Sequence, residues 1–379
     1  MLYPDAGQRM PGRFRCHASH NLQRKTETVN WMQHFKSLMV GALALGGWLS
    51  SATLAADISG AGATFPYPIY GKWAEAYKQK TGIGLNYQSI GSGGGIKQIK
   101  AETVTFGASD KPLDPTELSA SGLIQFPMII GGVVPVVNLA GVKPGQLILD
   151  GPTLAAIYDG EIAQWNDPRI KALNPKLALP NQAIAPVYRS DGSGTNFLFT
   201  YYLSKVSSSF RSKVGANTSV EWPSGIGAKG NEGVANMTQQ TSGAIGYVEY
   251  AFAKQNNMTT VLLMNLAGKV VAPEASAFQA AAASADWSKA PGYYLVLVDQ
   301  AGAASWPITG ASFILVHATP KDPAAVASAL TFFAWAYASG GDMAAALDYV
   351  PLPPSVVKLV ESTWVSSITS GGKPVWTGK

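Results

Sequence analysis

"IAPVYRSDGSGTNFLFTYYLSKV", residues 184–206, packs a strand, a turn and a helix into one short stretch. Ile184 to Tyr188 supply the apolar, β-branched character of a buried strand. Asp191-Gly192-Ser193-Gly194 punctuates it, and Phe197, Leu198, Tyr201 and Tyr202 then fall on one helical face. The same succession recurs along the chain. "LNYQSI" (85–90) leads through glycines into "GIKQIKAE", and "VTFGASD" (104–110) leads into "DPTELSASG" with Pro115 in its first turn. Strands alternating with helices predict an α/β protein with mostly parallel sheets.

The chain begins with a segment of different character. Residues 38–49, "LMVGALALGGWL", are an apolar run preceded by Lys36 and followed by the small residues "SSATLAAD". That is the pattern of a secretory signal peptide with cleavage after Ala55 or Ala56. The run is shorter than the ~20 apolar residues a membrane span needs. Met32 is a plausible start, and residues 1–56 are set aside as a leader. Six of the 28 Lys/Arg and two of the 23 Asp/Glu lie there, leaving 22 basic and 21 acidic residues. A near-neutral mature chain carries no nucleic-acid footprint. The only cysteine, Cys16, also lies in the leader, so the exported chain must be held by its core.

Two apolar segments, 129–137 and 308–317, read as crossings between two lobes, with a ligand cleft and a hinge between them. The longer apolar stretch 123–142 contains Pro127, Pro135 and the pair Gly131-Gly132, which suits buried strands joined by a bend. The aromatic residues Tyr70, Trp73, Tyr77, Tyr201 and Tyr202 read as core and interface packing.

Three turns share one chemistry. "GAGATFP" (60–66), "IGSGGGIK" (90–97) and "DGSGT" (191–195) each set a hydroxyl beside glycines at the start of a helix. Backbone N–H groups there point outward with partial positive charge, which favours an anion. Taken singly, each turn is equally an ordinary helix cap. A serine nucleophile at Ser193 would need a base. The only histidine after the leader is His317, in the apolar run "FILVHATP", which reads as a satisfied, partly buried side chain. "DGSGT" also departs from G-x-S-x-G. No His or Cys cluster offers metal ligands. "GIGAKG", with Gly225, Gly227 and Gly230, has dinucleotide-loop spacing and Glu249 downstream. Pro223 before it makes a poor central strand, and "NEGVANMTQQ" after it a poor sheet-packing helix.

Together, "GAGATFP", "IGSGGGIKQI", "FGASD", "DGSGTNFLFT" and "GAIGYVEYA" resemble the periplasmic phosphate-binding protein of the high-affinity, Pst-type phosphate ABC transporter. The resemblance runs from about Ser59 to the C-terminus and weakens around 290–305. It implies a two-lobed type II periplasmic binding protein, two sheet-based domains joined by a two-segment hinge. Lobe I would comprise 57–134 and 311–379, and lobe II 135–310. It implies a phosphate site made of Thr64, the Phe65 N–H, Ser92, Asp110, Arg189, Ser193, Gly194 and Thr195, with Asp191 orienting the arginine. Asp110 would accept the proton of hydrogen phosphate and disfavour sulfate. The implied partners are inorganic phosphate and an inner-membrane permease and ATPase complex. No cofactor, metal or catalytic residue is expected, and a monomer is. Alternatives are a receptor for sulfate, molybdate or arsenate, and a phosphoester hydrolase.

Overall fold

The computed structural model describes residues 57–378. The leader expected over 1–56, with its cleavage site near Ala55 or Ala56, lies outside the described residues.

The chain opens with β1 (Ile58–Gly62), α1 (Tyr67–Thr81), β2 (Leu85–Ser89), α2 (Ser92–Lys100), β3 (Phe106–Ser109) and α3 (Pro115–Ala120). The helical spacing after Pro66 sets α1, whose end is fixed by Gly82 in the left-handed region, its N–H donating to the Lys78 carbonyl at 2.8 Å. β4 (Leu123–Asn138) follows. The middle of the chain holds β5 (Ile148–Leu149), α4 (Gly151–Tyr158), α5 (Pro168–Leu173), β6 (Ala185–Arg189), α6 (Gly194–Val206) and α7 (Ser208–Lys213). It continues with β7 (Ile226–Ala228), α8 (Gly230–Gln240), β8 (Ala244–Glu249), α9 (Tyr250–Gln255), β9 (Thr259–Thr260), β10 (Leu262–Met264), β11 (Val270–Val271) and α10 (Ala275–Ala282). After two 3₁₀ turns that bury Trp287 and Tyr293 come β12 (Thr309–His317), α11 (Pro323–Ser339), α12 (Gly341–Ala345) and α13 (Pro354–Ser367), and then a short antiparallel pair, β13 (Thr369–Ser370) and β14 (Lys373–Pro374).

One sheet runs β2-β1-β3-β12-β4-β8-β6-β7, with β9 also on β4. Its flanks are parallel: β1 with β2 and β3, and β6 with β7 and β8. The expectation of mostly parallel sheets fails at the centre, where β4 and β12 run antiparallel to their neighbours. The reason is connectivity, since the chain runs along β4 and returns along β12. β4 is also where the sheet changes partners. Leu123–Gly132 pairs with β12, and Val133–Asn138 pairs with β8.

The stretch expected to bend between two strands is one continuous strand of 16 residues. Pro127 is accommodated at an irregularity: the register shifts between Ser312 and Phe313, leaving Met128 without a direct partner. The glycine pair gives room to rings packed across the strand. A Cβ at Gly132 would lie 2.1 Å from the Phe278 ring, and one at Gly131 2.9 Å from Phe65.

The core replaces disulfides with aromatic and aliphatic burial. Trp73, Trp165, Trp306 and Trp364 are fully buried, and burial of one such large side chain is worth about 1.5–3 kcal/mol. Tyr70, Trp73, Tyr77 and Tyr202 are core residues, and Tyr201 is half-buried against it. His317 is satisfied, its Nε2 lying 2.8 Å from the Ile99 carbonyl oxygen. Among the described residues, no helix is long and apolar enough to cross a membrane.

Candidate anion site

The three turns sit at the carboxyl ends of parallel strands, where open α/β sheets gather ligand groups. The first follows β1, the second joins β2 to α2, and the third joins β6 to α6; Asp110 directly follows β3. Thr64, Phe65, Ser92, Asp110, Arg189, Ser193 and Thr195 are all buried, each at most 2 % exposed. Such burial is unusual for so many polar groups and requires that each find partners.

Those partners come from one another. Ser92 Oγ accepts from the N–H of Asp110 at 3.2 Å and from that of Gly194 at 3.0 Å, joining the β2–α2 turn to the start of α6. The Gly93 N–H donates to the Gly192 carbonyl at 2.8 Å. Gly194 lies so near Asp110 that an added Cβ would stand 2.5 Å from the aspartate's Cβ. Ser193 caps α6 by accepting from the Asn196 N–H at 3.0 Å. Phe65 turns its ring into the core, edge-on to Tyr349, whose hydroxyl donates to the Phe65 carbonyl at 2.6 Å.

Arg189 is the one buried cation in this group. Its Nε and Nη2 donate to the two oxygens of Asp191 at 2.8 and 2.6 Å, a forked pairing that fixes the guanidinium plane. Asp191 Oδ1 also accepts from the Gly230 N–H at 3.0 Å. Burial opposes ionisation of Asp191, but the Arg189 hydrogen bonds and charge, with the Gly230 N–H, hold its carboxyl below the usual range. The remaining guanidinium nitrogen, Nη1, is buried without a protein partner. Burial pushes the Asp110 carboxyl up to about 7, against the pull of the Ser312 hydroxyl, the Arg189 charge and Ser92. Ser312 Oγ donates to Asp110 Oδ1 at 2.8 Å. A cation with a free donor, several hydroxyls and one acid on the edge of ionisation suit a small anion that carries a proton.

Sequence reasoning missed Asn231, Ser312, Tyr247 and Tyr349, and named Glu249 only beside the dinucleotide-loop spacing. Asn231 is fully buried and donates to Thr64 Oγ1 at 2.7 Å and to Thr195 Oγ1 at 3.4 Å. It opens α8, the segment expected to pack poorly on a sheet, and that expectation is corrected. Asn231, Val234, Ala235 and Thr238 are buried at helical spacing, and their small side chains let α8 lie close on the sheet. Ser312 carries no signal in sequence, because its place depends on β12 returning beside β3. Tyr247 donates its hydroxyl to Asn196 Oδ1 and accepts from the Arg189 N–H. Glu249, in the position of a ribose-binding acid, is buried against Tyr349 and caps α9. Burial raises its carboxyl well above the usual range.

Residues 50–339 match the model of the PBP superfamily domain. The phosphate-binding protein PstS of Xylella fastidiosa (strain 9a5c) is 54 % identical over 314 residues, covering 83 % of this chain and 86 % of that protein. This chain belongs to the PstS family of phosphate-binding proteins. The PstS protein of Haemophilus influenzae (strain ATCC 51907 / DSM 11121 / KW20 / Rd) is 52 % identical over 312 residues, 82 % of this chain and 93 % of that one. Among solved structures, a high-affinity periplasmic phosphate-binding protein bound with phosphate aligns with TM-score 0.65 at 22 % identity, over 84 % of this chain and 97 % of that one. A phosphate-binding protein from Stenotrophomonas maltophilia aligns with TM-score 0.63 at 20 % identity, over 84 % and 97 %. The fold is the two-lobed α/β fold of type II periplasmic binding proteins, as expected from the motifs.

Proposed function

We infer that the chain is an exported solute-binding receptor that holds inorganic phosphate between its two lobes and delivers it to an ABC-type importer. The observation that carries this reading is the buried Arg189, oriented by Asp191 with its Nη1 left unpaired, and near enough to the buried acid Asp110 for its charge to act on that carboxyl. Lobe I is assigned to 57–134 and 311–379 and lobe II to 135–310, so that Thr64, Phe65, Ser92 and Asp110 come from one and Arg189, Ser193, Gly194 and Thr195 from the other.

The lobes part to admit hydrogen phosphate and close to bury it. Its bare oxygens then accept from Arg189, from the hydroxyls of Thr64, Ser92, Ser193 and Thr195, and from N–H groups of Phe65 and the first turn of α6. Its protonated oxygen donates to Asp110. Sulfate at neutral pH has no proton to give, so the same closure would set two acceptors face to face. The protein acts by binding and release, not by turnover. The leader over 1–56 sends it to the periplasm, where it works as a monomer with a permease and ATPase complex.

Calorimetric titration of phosphate-stripped protein beginning at Asp57 tests the reading. One phosphate per chain at micromolar affinity or tighter, about −8 kcal/mol or more favourable, with no heat from sulfate, is the expected result. A folded, stripped protein that ignores phosphate rules the reading out, and equal binding of sulfate moves it to a general oxyanion receptor.

A further inference from the structure

Asn231 lies where three parts of the site meet. Its carboxamide orientation is fixed by a group that can only donate. The backbone N–H of Glu249 points at it from 2.9 Å, so the facing atom is the amide oxygen and the NH₂ must face the hydroxyls. One amide hydrogen then goes to Thr64 Oγ1 at 2.7 Å and the other toward Thr195 Oγ1 at 3.4 Å. The backbone N–H of Asn231 also donates to Thr64 Oγ1, at 3.3 Å.

A hydroxyl has two lone pairs and one proton. Both lone pairs of Thr64 Oγ1 are taken by Asn231, so its proton is all it has left to offer. Ser92 is treated alike, with both lone pairs taken by the N–H groups of Asp110 and Gly194. Thr64 and Ser92 are thereby set to donate, and Asp110 stands beside them as an acid that can accept.

We propose that Asn231 is a positioning residue that makes Thr64 an obligate proton donor to the bound anion. The proposal rests on the phosphate reading above and adds how the protein keeps a rotatable hydroxyl from competing with Asp110 for the ligand's proton. Without Asn231, Thr64 can turn to accept, and the site loses a directed donor along with part of its preference for one protonation pattern.

The test is a double-mutant cycle read by calorimetric titration with inorganic phosphate. Asn231→Ala should weaken phosphate binding about tenfold, the scale of one hydrogen bond to a charged group. In a Thr64→Val background the same change should cost less than about twofold, because the hydroxyl it acts through is gone. An equal loss in both backgrounds overturns the proposal and leaves Asn231 a packing residue. Because alanine also strips the Glu249 N–H of its acceptor, Asn231→Asp serves as the second variant. It keeps that acceptor but turns acceptors toward Thr64, so its loss should exceed that of Asn231→Ala and shrink when Thr64 is valine. Wild-type affinity in Asn231→Asp, or a loss that does not shrink, overturns the proposal. Wild-type protein that binds no phosphate overturns the functional reading itself, and this inference with it.

Discussion

Asp110 sits where ionising its carboxyl costs free energy, and that cost shapes the pH response of the ligand-free protein. Burial raises its pKa from the ordinary carboxylate value of 3.8 to about 7. Between those values the folded state holds a proton that the unfolded state has released, so this group's contribution to stability falls as pH rises through the window. Below it the penalty is absent, and above it the penalty is complete. Asp110→Asn should therefore be stabilised relative to wild type more at pH 8 than at pH 5, by on the order of a few kcal/mol; urea unfolding of both proteins at the two pH values measures it. The same substitution should relax the preference for phosphate over sulfate, since the carboxylate proposed to repel sulfate is gone. Arg189 makes a second residue-scale case. Lysine keeps the charge but cannot hold both Asp191 oxygens and an anion in one plane. Arg189→Lys should weaken phosphate binding by about 1.5–3 kcal/mol, the worth of a hydrogen bond to a charged group, as read by titration.

If the lobes close as proposed, α6 is the element on which closure turns. Its first residue, Gly194, brings backbone to within contact of Asp110, and a Cβ there would stand 2.5 Å from the Asp110 Cβ and 2.7 Å from its backbone nitrogen. Those atoms belong to opposite lobes in the assignment above. Gly194→Ala should then bind phosphate at least ~100-fold more weakly, a loss of about 2.7 kcal/mol, while its ligand-free melting temperature stays close to that of wild type. Retained affinity would show that the lobes do not meet there. Much of this scale was legible in the sequence. The glycine-hydroxyl turns and the helical spacings after Pro66 and Asn196 are local signals, and α1 and α6 follow from them. β4 was misread because its prolines and glycines look like breaks in isolation; only the facing register of β12 and the rings of Phe278 and Phe65 make one strand of it. α8 was misread because its polar composition hides a narrow buried face.

At the scale of the whole molecule, the motifs carried the two-lobed fold and the three glycine-hydroxyl turns that the structure brings together. The supporting groups Asn231, Ser312, Tyr247 and Tyr349 were invisible because tertiary contacts far apart in sequence put them there. Asn231 reaches back to Thr64 across 167 positions, and Ser312 to Asp110 across 202. Since the ligand would bind the folded state alone, phosphate at 100 times its Kd should add about 2.7 kcal/mol to stability and raise the melting temperature by several degrees; sulfate should leave it unchanged. Closure itself is best tested by small-angle X-ray scattering of stripped protein beginning at Asp57, as phosphate and then sulfate are added. The expected result is a compaction that saturates at one phosphate per chain and does not occur with sulfate. A profile unmoved by phosphate, or compacted equally by sulfate, would contradict a receptor whose two lobes close on a protonated anion.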